Sequence, residues 1–269
     1  MPEVAAASAG EADKDSMPTM GFLDHLEELR KRIVYSVVAV VVGAGLCWGY
    51  REPIYGVMQK PIMDALRAHG LAEKLVYLNP TDPFNLYLKI AMLAGLFLTS
   101  PFVLYQVWMF ISPGLYRNEK RYVFPFMLST ITLFTLGGYF GYKIAYPRAL
   151  NFFIGFNGQF APMITVGEYT SLFLSIVVGM GLIFEMPILV FFLAFMGIMT
   201  PSFMVKNFRY AILVIFILAA IVTPTPDIVN MCVFAAPMLG LYALSIGVAW
   251  VVHPKQRQAR KDKGKEKQA

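Results

Sequence analysis

Apolar residues in this chain gather into long runs separated by short charged segments, a pattern that predicts helices crossing a membrane. Spans are expected at about residues 33–50, 84–111, 122–142, 169–197, 209–222 and 228–252. Ahead of the first span, Phe22 to Ile33 reads FLDHLEELRKRI. At a helical period Phe22, Leu26, Leu29 and Ile33 share one stripe, while Asp24, Glu27, Glu28 and Lys31 point elsewhere. Glu27 and Lys31 are four residues apart, as are Glu28 and Arg32, in the favourable acid-before-base order. The layout suits a helix that lies on a membrane surface and leads into the first span.

Breakers inside the runs refine this picture. Pro101 interrupts the second run, so a kink is expected, with a freed carbonyl that needs another partner. Gly137, Gly138 and Gly141 in the third run allow a neighbouring helix to approach closely. Arg51 to Asp82 reads as a polar outer loop containing a short helix. Lys143 to Gly167 reads as a second outer loop turned by Pro147 and Pro162. Tyr210 to Val222 is only 13 apolar residues, about 20 Å as a helix. It is either a re-entrant segment or a span that thins the bilayer around it. Thr223 to Asp227, TPTPD, ends that run with a turn, and Pro237 breaks the last one.

Charge sets the number of spans and their direction. With six spans, the segments on one side hold 4, 3, 2 and 7 Lys and Arg, a total of 16, and those on the other hold 4, 2 and 0, a total of 6. Five spans would put the basic tail on the outside. Six spans with both ends cytoplasmic is therefore the expected topology. Residues 1–20 are expected as a disordered lead, 21–252 as a single transmembrane domain and 253–269 as a basic cytoplasmic tail. The lead has no apolar core of its own and does not read as a cleaved signal peptide.

Composition agrees. The chain is 57% hydrophobic and 15% charged with a mean hydropathy of +0.58, against about 25% charged for a soluble domain. The fold class is all-α, a polytopic integral membrane protein. Of the 23 Lys and Arg, 7 lie after His253, so topology accounts for much of the +6 net charge better than nucleic-acid binding does. Cys47 and Cys232 sit apart in apolar runs and read as packing residues.

The chemistry on offer is that of binding. His25, His69 and His253 fall outside the apolar runs, no nucleophile–base pair can be placed in the membrane, and no metal or cofactor motif is present. The chain does not read as an enzyme. Two charges lie within runs, Lys89 near an outer end and Glu185 ahead of Pro187. A secondary transporter of a small solute would use them as a coupling pair, but the absence of two related halves argues against it. Lys89 can snorkel to the headgroups. Glu185 either hydrogen-bonds within the core or receives a polar group from a partner helix. On the cytoplasmic face, Glu28 before the first span and Glu119 in the RNEKR turn are two acids in a basic rim. They suit a ligand with two guanidinium groups, each able to form a charge-assisted fork.

The residues that carry this reading also carry a resemblance. FLDHLEELRKRI and SPFVLYQVWMFISPGLYRNEKR (Ser100 to Arg121) resemble the TatC family, the receptor subunits of the twin-arginine protein translocase. PTDPFNLYLK, FGYKIAYP, FEMP, RYAILV and TPTPD extend the match from about residue 20 to residue 250. The resemblance implies a curved, glove-like bundle of six helices with a concave face, located in the bacterial cytoplasmic membrane. It also implies recognition of the Arg-Arg signal peptides of folded proteins, with transport driven by the proton-motive force. TatA-like and TatB-like single-span partners and self-association in a receptor complex follow from it as well. By motif, Glu28 and Glu119 are the recognition acids, Leu26, Arg30, Pro101 and Phe110 support them, and Glu185 faces the concave side. Asn230, Met231 and Ala243 depart from the family's usual polar residues near the sixth helix.

Overall fold

The computed structural model describes residues 22–111, 123–155, 163–195, 199–222 and 228–252. The lead, the turn with Glu119, Pro162, the TPTPD turn with Asp227, and the basic tail lie outside the described residues.

The architecture is all-helical. In order, the helices are α1 (Phe22–Trp48), α2 (Arg51–Ala68), α3 (Asp82–Ile111), α4 (Val123–Phe140), α5 (Tyr146–Gly155), α6 (Val166–Ile183), α7 (Met186–Phe195), α8 (Pro201–Lys206), α9 (Phe208–Val222) and α10 (Ile228–Val252). Among the described residues, three stretches are long and apolar enough to cross a membrane: Leu23–Trp48, Asp82–Ile111 and Val166–Ala194. Shorter apolar helices follow at Phe208–Ile221 and Phe234–Trp250. Large apolar side chains remain open to the surroundings along α1, Val37 at 55% and Val41 at 62%, as expected where the solvent is lipid.

The amphipathic stretch is the first 12 of the 27 residues of α1 and runs without interruption into the apolar part. It is therefore an extension of that helix and not a separate surface element. Among the described residues α1 packs almost entirely against α3. Gly43 and Gly95 set the approach: a Cβ on Gly95 would lie 2.4 Å from the Ala44 nitrogen, and one on Gly43 would lie 2.7 Å from the Thr99 methyl. α3 continues through Pro101. The carbonyl that Pro101 strands, that of Phe97, accepts a hydrogen bond from the Ser100 hydroxyl at 2.8 Å.

One expectation fails in the second half of the chain, and one expected span proves to be subdivided. Lys143 to Gly155, expected as part of an outer loop, is helical. A π-helical turn, Gly141–Ala145, joins α4 to α5, and the Tyr146 amide reaches back five residues to the Gly141 carbonyl. That wider turn carries the helix past Pro147, whose ring and missing N–H would break a regular α-helix. The fourth apolar run is likewise two helices, since α6 ends at Ile183 and α7 begins at Met186. The break at Phe184 and Glu185 places Pro187 in the first turn of α7, where no N–H is required. The glycine reading holds: a Cβ on Gly137 would meet the Met180 carbonyl at 2.5 Å, and one on Gly138 would meet the Phe97 ring at 2.4 Å.

The main core lies where α2, α3, α5 and α6 meet, around Ile62, Ile90, Tyr146, Tyr169, Ile176 and Met180, each 2% exposed or less. The Tyr169 hydroxyl donates to the Met58 carbonyl and ties α6 to α2. The segments leading into α3 and α6 are joined by a parallel bridge, Val76 N–H to Ile164 O at 3.0 Å and Val166 N–H to Val76 O at 2.8 Å. Thr165 caps α6 through the Glu168 amide.

Candidate functional site

α1 and α3 run antiparallel, and three contacts give the register: His25 with Phe110, Arg32 with Gln106, and Gly43 with Gly95. The start of α1 therefore meets the end of α3. The Arg32 guanidinium spans the seam there, with Nη1 donating to Gln106 Oε1 at 2.9 Å and Nη2 donating to Glu28 Oε1 at 3.1 Å. Gln106 is 4% exposed. The side chains of Arg32 and Glu28 are 23% and 17% exposed. The second carboxylate oxygen, Glu28 Oε2, is buried and has no hydrogen-bond partner among the described residues.

One level further out, the His25 imidazole stacks on Phe110 with ring centroids 4.3 Å apart and planes inclined by 14°. Trp108, buried beside Gln106, donates to Thr130 Oγ1 at 3.1 Å and stacks on Phe126, which pins this end of α3 to α4. The second acid-before-base pair, Glu27 with Lys31 at 2.8 Å, is exposed. Its hydrogen bond and charge hold the Glu27 carboxyl below the usual carboxylate range and raise the Lys31 ammonium above its ordinary value.

The structure brings Glu28 and Phe110 to the same end of the α1–α3 seam. Leu26 is 45% exposed and Arg30 is also exposed, so both project away from Gln106. Of the apolar stripe, Leu26 and Ile33 are exposed while Leu29 is half-buried, as Glu28 and Arg32 are. Pro101 lies on α3 between the levels of Arg32–Gln106 and Gly43–Gly95, away from the carboxylate. Glu119 is outside the described residues.

Glu185 stands apart, at the break between α6 and α7, with Oε1 buried and unpaired among the described residues. Lys89 does not pair with it and instead donates to Ser171 Oγ at 3.5 Å. Gln106 was missed by sequence reasoning. Its one signal is an uncharged polar residue alone among aromatic and aliphatic neighbours in LYQVWMF.

The comparisons agree with one another. The family described as "TatC: Sec-independent protein translocase protein (TatC)" matches residues 24–237. A Sec-independent protein translocase protein TatC from Koribacter versatilis (strain Ellin345) is 60% identical over 261 residues, covering 97% of this chain and 96% of the relative. One from Carboxydothermus hydrogenoformans is 39% identical over 238 residues, covering 88% and 96%. Among solved structures, the crystal structure of the twin arginine translocase receptor TatC superposes with a TM-score of 0.73 at 35% identity, covering 85% of this chain and 99% of that one. A six-tenths-identical relative matched along nearly its whole length, a family match reaching from α1 into α10 and a shared fold leave one conclusion: the chain belongs to the TatC family of Sec-independent protein translocase proteins.

Proposed function

We propose that this protein is the signal-peptide receptor of a twin-arginine translocase and forms the core of that translocase in a bacterial cytoplasmic membrane. It crosses the bilayer six times as a curved, glove-like bundle with both ends cytoplasmic, the topology that the Lys and Arg distribution favours. The observation that carries the receptor role is Glu28. Its carboxylate is held at the end of the α1–α3 seam with one oxygen engaged by Arg32 and the other buried and unspent. A half-satisfied carboxylate strongly favours an incoming guanidinium. Glu119 supplies a second carboxylate from the segment after α3, so that two acids meet the two arginines of the signal. Leu26, Arg30, Pro101 and Phe110 line the path of the peptide, whose apolar part lies along the concave helices.

The chain performs no covalent chemistry. Single-span proteins of the TatA and TatB kinds are its partners, other copies of the chain join it in the receptor complex, and the proton-motive force drives export. Glu185, half-buried beside Pro187 with Oε1 unpaired among the described residues, receives a polar group from a partner helix or admits water where the membrane is thin.

Photocrosslinkers introduced beside Glu28 and Glu119 test the reading. They should trap an Arg-Arg signal peptide and not its Lys-Lys twin. Equal labelling of the two peptides, with pH-driven solute uptake by the purified protein alone, would establish a transporter in its place.

A further inference from the structure

The receptor reading assigns Glu28 a ligand but leaves its immediate neighbours unexplained. Arg32 is itself a guanidinium seated on the recognition carboxylate, and it is fixed there by a residue 74 positions away, Gln106. The guanidinium is planar, and two of its nitrogens are committed to two acceptors on two helices. Its plane is therefore set by the buried Gln106 amide, and the orientation of the Glu28 carboxylate is set by Arg32 in turn.

We propose that Gln106 and Arg32 are positioning residues for signal recognition, selecting arginine over lysine by fixing the orientation of the one free oxygen of Glu28. This rests on the receptor reading. A guanidinium offers rigid, coplanar donors and gains most from an acceptor whose lone pairs already point the right way. An ammonium has freely rotating donors and takes a carboxylate in any orientation. Loosening Glu28 therefore costs an arginine ligand more than a lysine ligand. The buried position of Gln106 serves the same end: a 4%-exposed amide, on a helix end pinned by Trp108 and Thr130, holds Arg32 with little freedom to swing.

The test uses the full chain purified in detergent and labelled Arg-Arg and Lys-Lys versions of one signal peptide, with the ratio of the two dissociation constants as readout. Gln106→Leu and Arg32→Lys should each reduce the preference for Arg-Arg by about tenfold, the equivalent of one charge-assisted hydrogen bond. Arg32→Lys keeps the charge and most of the volume, so it carries the test independently of how well Gln106→Leu folds. A general loss of structure would weaken both peptides and leave the ratio near its original value. An unchanged ratio in folded variants overturns the positioning role while the receptor reading stands. A wild-type protein that binds the two peptides equally overturns both.

Discussion

The Ser100 hydroxyl donates to the Phe97 carbonyl at 2.8 Å, taking the place of the amide that Pro101 lacks. α3 thus passes through a proline without leaving that acceptor bare. Ser100→Ala should destabilise the protein by about 1 kcal/mol. Pro101→Ala restores the backbone donor, so Ser100→Ala made in that background should cost less. A double-mutant cycle read by thermal unfolding in detergent checks this, and additive effects would show that the hydroxyl is not a substitute donor.

Gly95 governs how near α1 comes. Even Gly95→Ala puts a methyl 2.4 Å from the Ala44 backbone nitrogen, and the helices have to separate. A loss of roughly 1–3 kcal/mol is expected. Disulfide trapping between His25→Cys and Phe110→Cys should fall with it. Trapping at the unmodified rate would mean that the two helices move rigidly apart elsewhere.

Tyr169→Phe removes the donor to the Met58 carbonyl in the core between α2 and α6. Leaving that carbonyl unpaired should cost about 1–3 kcal/mol, read as a lower midpoint of thermal unfolding with topology by protease mapping unchanged.

The exposed pair Glu27–Lys31 gives a pH signature at the start of α1. Glu27 has a lowered folded-state pKa, so its contribution is present above the ordinary carboxylate value and is lost as pH falls through the depressed one. Lys31 has a raised pKa, so its contribution is present below the ordinary ammonium value and is lost as pH rises through the elevated one. Carbon-13 titration of Glu27 should show the depression, and it should shrink in high salt because the pair is open to solvent.

Glu28→Gln and Glu119→Gln should each weaken capture of an Arg-Arg peptide on the order of tenfold while membrane insertion and protease-mapped topology stay intact. A Glu119→Gln protein that fails to insert would make that residue structural.

Much of this was legible in the chain and some was not, for identifiable reasons. The pairs Glu27–Lys31 and Glu28–Arg32 follow from four-residue spacing alone, and both form. The close approach at Gly137 follows from the absence of a side chain. The helix after Gly141 was hidden because Pro147 is a turn signal in a regular helix, and only a π-helical turn removes the clash. The break at Glu185 was hidden because two apolar helices in series have the same composition as one. Gln106 was beyond reach, since its partner lies 74 residues away and pairing at that distance leaves no periodic trace.

The one-sided attachment of α1 has a mechanical consequence. Among the described residues α1 packs almost entirely against α3, so within this part of the chain its depth follows that of α3. When bilayer thickness changes, the two shift as one body. The contacts that join Glu28, Arg32 and Gln106 are then carried along unchanged, whatever the lipid.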